Sequence, residues 1–283
     1  MFKKVFNQPS RVASVSVPHW KKGESTQNLG DFLSEYVHSK YLGDPRKSAT
    51  DTIYLVGSVI SDWRIKSQKK ANKSIGFWSC GLRDTFSCEK HGSNATYYGV
   101  RGLYSAAALG LAKKKVVGDL GLLFPYLYPN KSDTQKGKHI TIPHFHDQRT
   151  DQDLLALYGG NSVLRTNVDN TFEAVESFLD ELTTAEFILT ASLHGAILAY
   201  AYGIPFALLN SGKIDCPFKW IDFMSTTGMQ THFVQSNVEG LEWSTKNPIP
   251  ERYFNLKSLI KSCPFSWNFE FSKQKNSLPV YIR

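Results

Sequence analysis

A histidine stands where an apolar stretch of strand length gives way to a helical stretch of small residues, in Thr190-Ala191-Ser192-Leu193-His194-Gly195. Imidazole titrates near neutrality, so His194 can pass a proton at ordinary pH. Asp31, in Asn28-Leu29-Gly30-Asp31, opens a second helical stretch. There a carboxylate is either a plain helix cap or a base for hydroxyl groups. Arg83 and Arg101 each follow a short apolar run, and a guanidinium at a strand end grips carboxylate or phosphate through two parallel N–H bonds. Lys213 and Lys219 follow the apolar run Phe206–Leu209 and border the same expected cleft. An acid, a base and four cations suit an anionic substrate whose reaction needs proton transfer. Gly57-Ser58 closes another apolar run, and such a turn lets backbone N–H groups approach an anion. In His144-Phe145-His146-Asp147 the two histidines would share one face of a strand. A metal needs at least one more ligand, which the sequence does not identify, so His144 is read as a substrate contact and no metal is assigned.

The elements that position these residues alternate. Arg11–Pro18 reads as a first strand, with His19-Trp20 at its end, and a helix follows from Phe32. Thr52–Val56, Ile75–Trp78 and Thr96–Val100 read as buried strands. A small-residue helix from Ser105 and a short strand at Val116-Val117, closed by Gly118-Asp119, come next. The polar segment 131–138 reads as a linker. Beyond it come strands at His139–His144 and Ser162–Arg165, and then a helix capped by Asp169-Asn170 with Phe172, Val175, Phe178, Leu179 and Leu182 on one face. The strand-turn-helix-strand of Glu186–Asn210 follows, then a helix at Lys219–Phe223, a strand at His232–Val234 and a helix at Tyr253–Cys263. Two successive α/β runs predict an α/β fold of two Rossmann-like, doubly wound domains, residues 1–130 and 139–283, facing a central cleft. The last segment, from Phe265, is expected to pack back on the first domain.

Phe187–Leu209 carries no Asp, Glu, Lys or Arg and is long enough to span a bilayer. Gly195, Gly203 and Pro205 interrupt it, and its flanks have strand length, so a soluble protein is expected. The N-terminus is basic without an apolar signal-peptide core, which predicts a cytoplasmic protein. Four cysteines without C-x-x-C spacing argue against a zinc or dithiol site. The net charge of +8 again points to an anionic partner. No nucleic-acid module is recognisable, and nucleic acid is not assigned. Glycine-rich dinucleotide and P-loop motifs and G-x-S-x-G are absent.

In order, Asn28-Leu29-Gly30-Asp31, Gly57-Ser58, Cys80-Gly81, Val100-Arg101-Gly102, Gly118-Asp119, Ser192-Leu193-His194-Gly195 and Gly203-Ile204-Pro205 resemble the polysaccharide pyruvyl transferases. Many members carry Arg where this chain has Ser192. Ser-Leu-His-Gly with the later Lys219-Trp220-Ile221-Asp222 resembles the branch that modifies succinoglycan- and xanthan-type exopolysaccharides. The resemblance implies a GT-B-like pair of domains and phosphoenolpyruvate as co-substrate, with no cofactor. It also implies a sugar acceptor, in a polymer or lipid-linked oligosaccharide, worked on at the inner face of the membrane with peripheral contact. On that reading His194 is the acid and Asp31 the base. Arg101, Arg83, Ser192, Gly195, Lys213 and Lys219 hold the donor, and Asn28, His144 and Trp20 meet the acceptor. A GT-B glycosyltransferase using a sugar nucleotide, and a non-catalytic sugar-binding relative, share the same architecture. Phosphate release from phosphoenolpyruvate separates the first reading from both.

Overall fold

The structure is a computed structural model and describes residues 16–18, 24–46, 50–83, 94–130, 137–212, 214–250 and 256–271. Trp20 and Lys213 lie outside them, as does most of the expected linker. In the first half, β1 (Thr26–Asn28) runs directly into α1 (Leu29–Tyr41), followed by β2 (Leu42–Pro45) and β3 (Thr52–Tyr54). Then come α2 (Asp62–Lys70), β4 (Ile75–Phe77), β5 (Ala95–Tyr97), α3 (Leu103–Ala108), two 3₁₀ turns (Lys113–Lys115 and Leu120–Leu123) and α4 (Phe124–Leu127). The second half begins with β6 (Lys138–Ile142), α5 (Asp151–Tyr158), β7 (Ser162–Val163), β8 (Asn167–Asp169), α6 (Phe172–Leu182) and β9 (Ala185–Thr190). It continues with α7 (Leu193–Tyr202), β10 (Phe206–Leu209), α8 (Pro217–Thr227), β11 (Phe233–Val234), α9 (Asn237–Lys246), α10 (Leu256–Ser262) and β12 (Phe265–Trp267).

The fold is α/β. In the second half β11-β10-β9-β6-β7 form a five-stranded, wholly parallel sheet. From β6 the chain steps outward to β7 and then returns to the other side of β6 as β9, so the strand order reverses between β6 and β9. Ligands of open parallel sheets bind beyond the carboxyl ends of strands at such a reversal. In the first half β3-β4-β5 are also parallel. Single bridges extend this sheet, Ser16 to Thr52 on one side and Val100 to Val116 on the other.

Burial explains the uncharged run at the centre of the chain. Every residue of α7 from Leu193 to Ala201 is buried, so the helix is apolar on all sides because protein surrounds it. Gly203, at φ +74°, ends it in the left-handed conformation that glycine adopts without steric cost. Among the described residues no helix is long and apolar enough to cross a membrane. The amphipathic α6 buries Val175, Phe178, Leu179 and Leu182, as its spacing predicts. Its cap is Thr171, whose hydroxyl accepts from the Ala174 N–H at 3.2 Å, rather than the expected Asp169-Asn170, which end β8 and form the turn after it.

Contacts of several kinds tie the halves together, among them paired strands and packed helices. β1 pairs antiparallel with β8. α1 packs on α6 through Phe32 and Tyr36 against Phe172, and the Tyr36 hydroxyl donates to Glu176 at 3.0 Å. β12 pairs antiparallel with β2, and the buried Trp78 indole donates to the Ser262 hydroxyl at 3.0 Å. One apolar core therefore runs from Leu29 through Leu123 and Ile188 to Phe265.

Candidate active site

The site is assembled from helix starts. Asp31, Arg64, His194 and Lys219 lie in the first turns of α1, α2, α7 and α8. All four line one cavity of about 710 Å³, together with Asn28, Gly57, Ser58, Arg83, His144, Ser192 and Asp215. The first turn of a helix carries free N–H groups and the positive end of its dipole, so four converging starts make a site suited to negative charge. His144 and Ser192 stand just past the carboxyl ends of β6 and β9, where the strand order reverses. A second cavity, about 410 Å³, lies at the opposite ends of β9 and β10 and has no cationic residue in its lining.

α1 and α7 meet almost in contact. A Cβ on Gly30 would overlap the His194 ring, so only glycine permits this approach. Asn28 caps α1 by accepting from the Gly30 N–H at 3.0 Å, which leaves Asp31 free of that duty. Burial raises the Asp31 carboxyl to a pKa of about 6, against the opposing pull of Lys219 and Arg64. His194 goes the other way. Burial first, then the charges of Arg101 and Lys219, lower its pKa to about 3, so the imidazole is neutral at pH 7. That corrects the near-neutral value expected from the residue type alone.

Lys219 donates to Asp215 at 2.7 Å, the His144 Nε2 lies 3.8 Å from the same carboxylate, and an Arg83 amino group lies 4.0 Å from it. The His144 ring and the Lys219 ammonium hold the Asp215 carboxyl well below the usual range. His144 sits in a turn beyond β6, as does His146, so the two do not occupy one strand face as the sequence suggested. Among the described residues no cluster of three or more His, Cys, Asp or Glu side chains is arranged to hold a metal.

Arg101 does not line the cavity. Its side chain is fully buried behind it, donating to the Ser58 hydroxyl at 3.0 Å, with Nε 3.5 Å from Asp222 and Nη1 4.0 Å from Asp119. A Cβ on Gly81 would overlap the guanidinium, and one on Gly102 would overlap Asp222. Asp222 also accepts from the Ser105 N–H and hydroxyl, both at 2.7 Å, so it holds the start of α3. Gly57-Ser58, Cys80-Gly81, Val100-Arg101-Gly102, Gly118-Asp119 and the aspartate of Lys219-Trp220-Ile221-Asp222 thus converge on one guanidinium. Gly195 is also behind the cavity wall, where a Cβ would press on Thr190 and Ile142.

Of the residues singled out from sequence, the structure brings Asp31, Asn28, Arg83, His144, Ser192, His194 and Lys219 to one cavity. Arg64 and Asp215 were missed. Arg64 had a legible signal, a cation in the first turn of the helix that follows Gly57-Ser58, the same placement that singled out Asp31. Asp215 had none, because only tertiary packing brings it to His144 and Arg83.

Comparison with curated proteins and with solved structures returns no match. A family model described as Polysaccharide pyruvyl transferase matches residues 21–212, which contain Asp31, Arg64, Arg101, Asp119 and His194. The match covers more than half of the sequence, and the chain belongs to the polysaccharide pyruvyl transferase family.

Proposed function

We propose that the chain transfers the pyruvyl group of phosphoenolpyruvate to two hydroxyls of one sugar, forming a cyclic ketal and releasing phosphate. The observation that carries this reading is the convergence of His194, Asp31, Arg64, Arg83 and Lys219 on one cavity. The donor is a small, highly charged anion, and the reaction needs both a proton donor and a proton acceptor.

Lys219, Arg83 and Arg64 hold the phosphate and carboxylate of the donor, with the Ser192 end of α7 beside them, and Lys213 is assigned to the donor from its place in the sequence alone. His194 then protonates carbon 3, which leaves carbon 2 electron-poor. One sugar hydroxyl adds there and loses its proton to Asp31, whose raised pKa of about 6 suits a base near neutral pH. The carbon–oxygen bond to phosphate breaks as the proton held by Asp31 passes to the departing phosphate, and a second hydroxyl closes the ring, its proton going to the now neutral imidazole of His194. Asn28, His144 and Trp20 are the residues assigned to the acceptor. A neutral His194 fits this scheme, because a donor's negative charge would offset Arg101 and Lys219 and raise the affinity of imidazole for a proton. Acid chemistry is thus switched on by the substrate.

The parallel sheet in each half supports the view of two Rossmann-like units arranged as in GT-B enzymes. Ser192-Leu193-His194-Gly195 with Lys219-Trp220-Ile221-Asp222 supports the exopolysaccharide branch. A lipid-linked or polymeric acceptor, handled in the cytoplasm at the membrane face, follows from that branch. Incubation with phosphoenolpyruvate and candidate saccharides is expected to release inorganic phosphate in step with an acid-labile pyruvate ketal. Phosphoenolpyruvate left intact in the presence of acceptors that carry a free hydroxyl pair would refute the donor assignment.

A further inference from the structure

Behind His194 lies a group of buried charges that the scheme above does not use. Asp119 Oδ1 is 3.8 Å from His194 Nε2, and Asp119 Oδ2 is 4.0 Å from Arg101 Nη1. Asp119 and Arg101 are fully buried. Among the described residues His194 Nε2, Asp119 Oδ2 and Arg101 Nε and Nη1 are sealed from solvent without a hydrogen-bond partner. Buried polar atoms are nearly always satisfied, and four orphans shared by one histidine, one aspartate and one arginine mark a place held for a changing charge rather than a finished ion pair.

We propose that Asp119 is the positioning residue of His194: it receives the Nε2–H, turns Nδ1 toward the substrate and balances the imidazolium when it forms. This rests on the reading of His194 as the proton donor. The alternatives are eliminated by geometry. His194 lines the cavity while its Nε2 is sealed from solvent, so Nδ1, which packs beside Gly30 at the start of α1, is the nitrogen left for the substrate side. Arg101 has no acceptor atom. Asp222, beyond Arg101, already accepts two hydrogen bonds from Ser105. Asp31 lies on the cavity side with Lys219 and Arg64. Among the described residues Asp119 alone presents a carboxylate to Nε2. Its own Oδ1 is aimed by the Gly121 N–H at 2.9 Å, at the start of a 3₁₀ turn that packs on α7.

Nε2 keeps its proton throughout and hydrogen-bonds to Asp119 only once the imidazolium forms, since the two atoms now stand 3.8 Å apart. Nδ1 takes a proton from water once the donor is bound, and that Nδ1–H bond breaks as the carbon 3–H bond forms. A charge at the imidazole draws the Asp119 carboxylate across the present gap.

The test begins without substrate. In ¹⁵N-labelled protein at pH 7.5, with His194 assigned by its loss in His194→Gln, the ring is expected as the Nε2–H tautomer. The Nδ1–H tautomer would overturn the proposal whether or not phosphoenolpyruvate is the donor. Asp119→Asn is then expected to lower kcat on the order of tenfold or more, with KM for phosphoenolpyruvate little changed. It should also move the alkaline limb of the kcat profile down by about one pH unit, because an anion that favours the imidazolium is gone. A variant that folds but keeps the wild-type kcat and pH profile makes Asp119 merely structural and rejects the idea. Should Asp119→Asn fail to fold, the wild-type tautomer decides alone.

Discussion

Arg101 and Lys219 approach His194 from opposite sides, and both lower its affinity for a proton. Behind the ring, Arg101 is completely buried between two carboxylates, Asp119 and Asp222, that are themselves buried. In front, the Lys219 side chain keeps 13% of its exposure and leans on Asp215, a carboxylate that remains 36% exposed. The rear charge is fixed by packing, and the front charge is held by a partner that water already reaches. A donor anion can replace Asp215 at little cost, whereas nothing small can replace Asp222. The rear therefore sets the geometry of the histidine, and the front answers to the substrate.

That contrast can be broken or sharpened by mutation. Asp222→Ala should have the largest effect. It leaves Arg101 underneutralised in the interior and uncaps α3, so a loss of about 3–5 kcal/mol in unfolding free energy is expected from denaturant titration. Stability within 1 kcal/mol of wild type, roughly the value of a surface ion pair, would show that the rear cluster is not the fixed element. His194→Ala should reduce kcat about 100-fold or more with the fold intact by circular dichroism, and turnover near the wild-type rate would remove His194 from the chemistry. Lys219→Ala should act mainly on donor binding, raising KM for phosphoenolpyruvate on the order of tenfold, about 1.4 kcal/mol. A thermal transition lowered as far as in Asp222→Ala would place Lys219 with the structural charges instead. Asn28→Ala should cost about 1 kcal/mol through the lost cap, while Ser192→Ala, whose side chain caps nothing in α7, should leave the melting temperature nearly unchanged.

The same comparison has a pH signature. Burial, Arg101 and Lys219 keep His194 neutral down to a pKa of about 3, and an anion bound beside it is expected to raise that value. Donor binding should therefore take up a fraction of a proton near pH 6, falling toward zero by pH 9, as calorimetry in buffers of different ionisation enthalpy reads directly. The part that disappears in His194→Ala belongs to the imidazole.

Much of the site was legible because helix starts are. Strand-turn-helix patterns put Asp31 and His194 at helix starts, as found, and Gly203 and Pro205 do separate α7 from β10, whereas Gly195 lies inside α7 and breaks nothing. Arg101 shows the limit of that reading. Its position after an apolar run is the same as that of Arg83, yet one is fully buried and the other has a side chain 63% exposed. The difference is made by Gly81 and Asp222, at sequence distances over which local pattern carries no information. The β1–β8 and β12–β2 pairings were illegible for a related reason, since each joins three- or four-residue segments drawn from different halves of the chain.

The pairing of β12 with β2 also governs synthesis. Leu42 and Pro45 meet their partners Trp267 and Phe265 only after more than 200 further residues have been made. Trp78 must likewise wait for Ser262. At about 5–20 residues per second, the nascent chain carries an open strand edge and an uncovered tryptophan for roughly ten seconds or more. During that interval an unpaired edge is a template for any other strand. This architecture therefore makes the protein dependent on protection at the ribosome, and slowing translation after residue 78 should increase its aggregation.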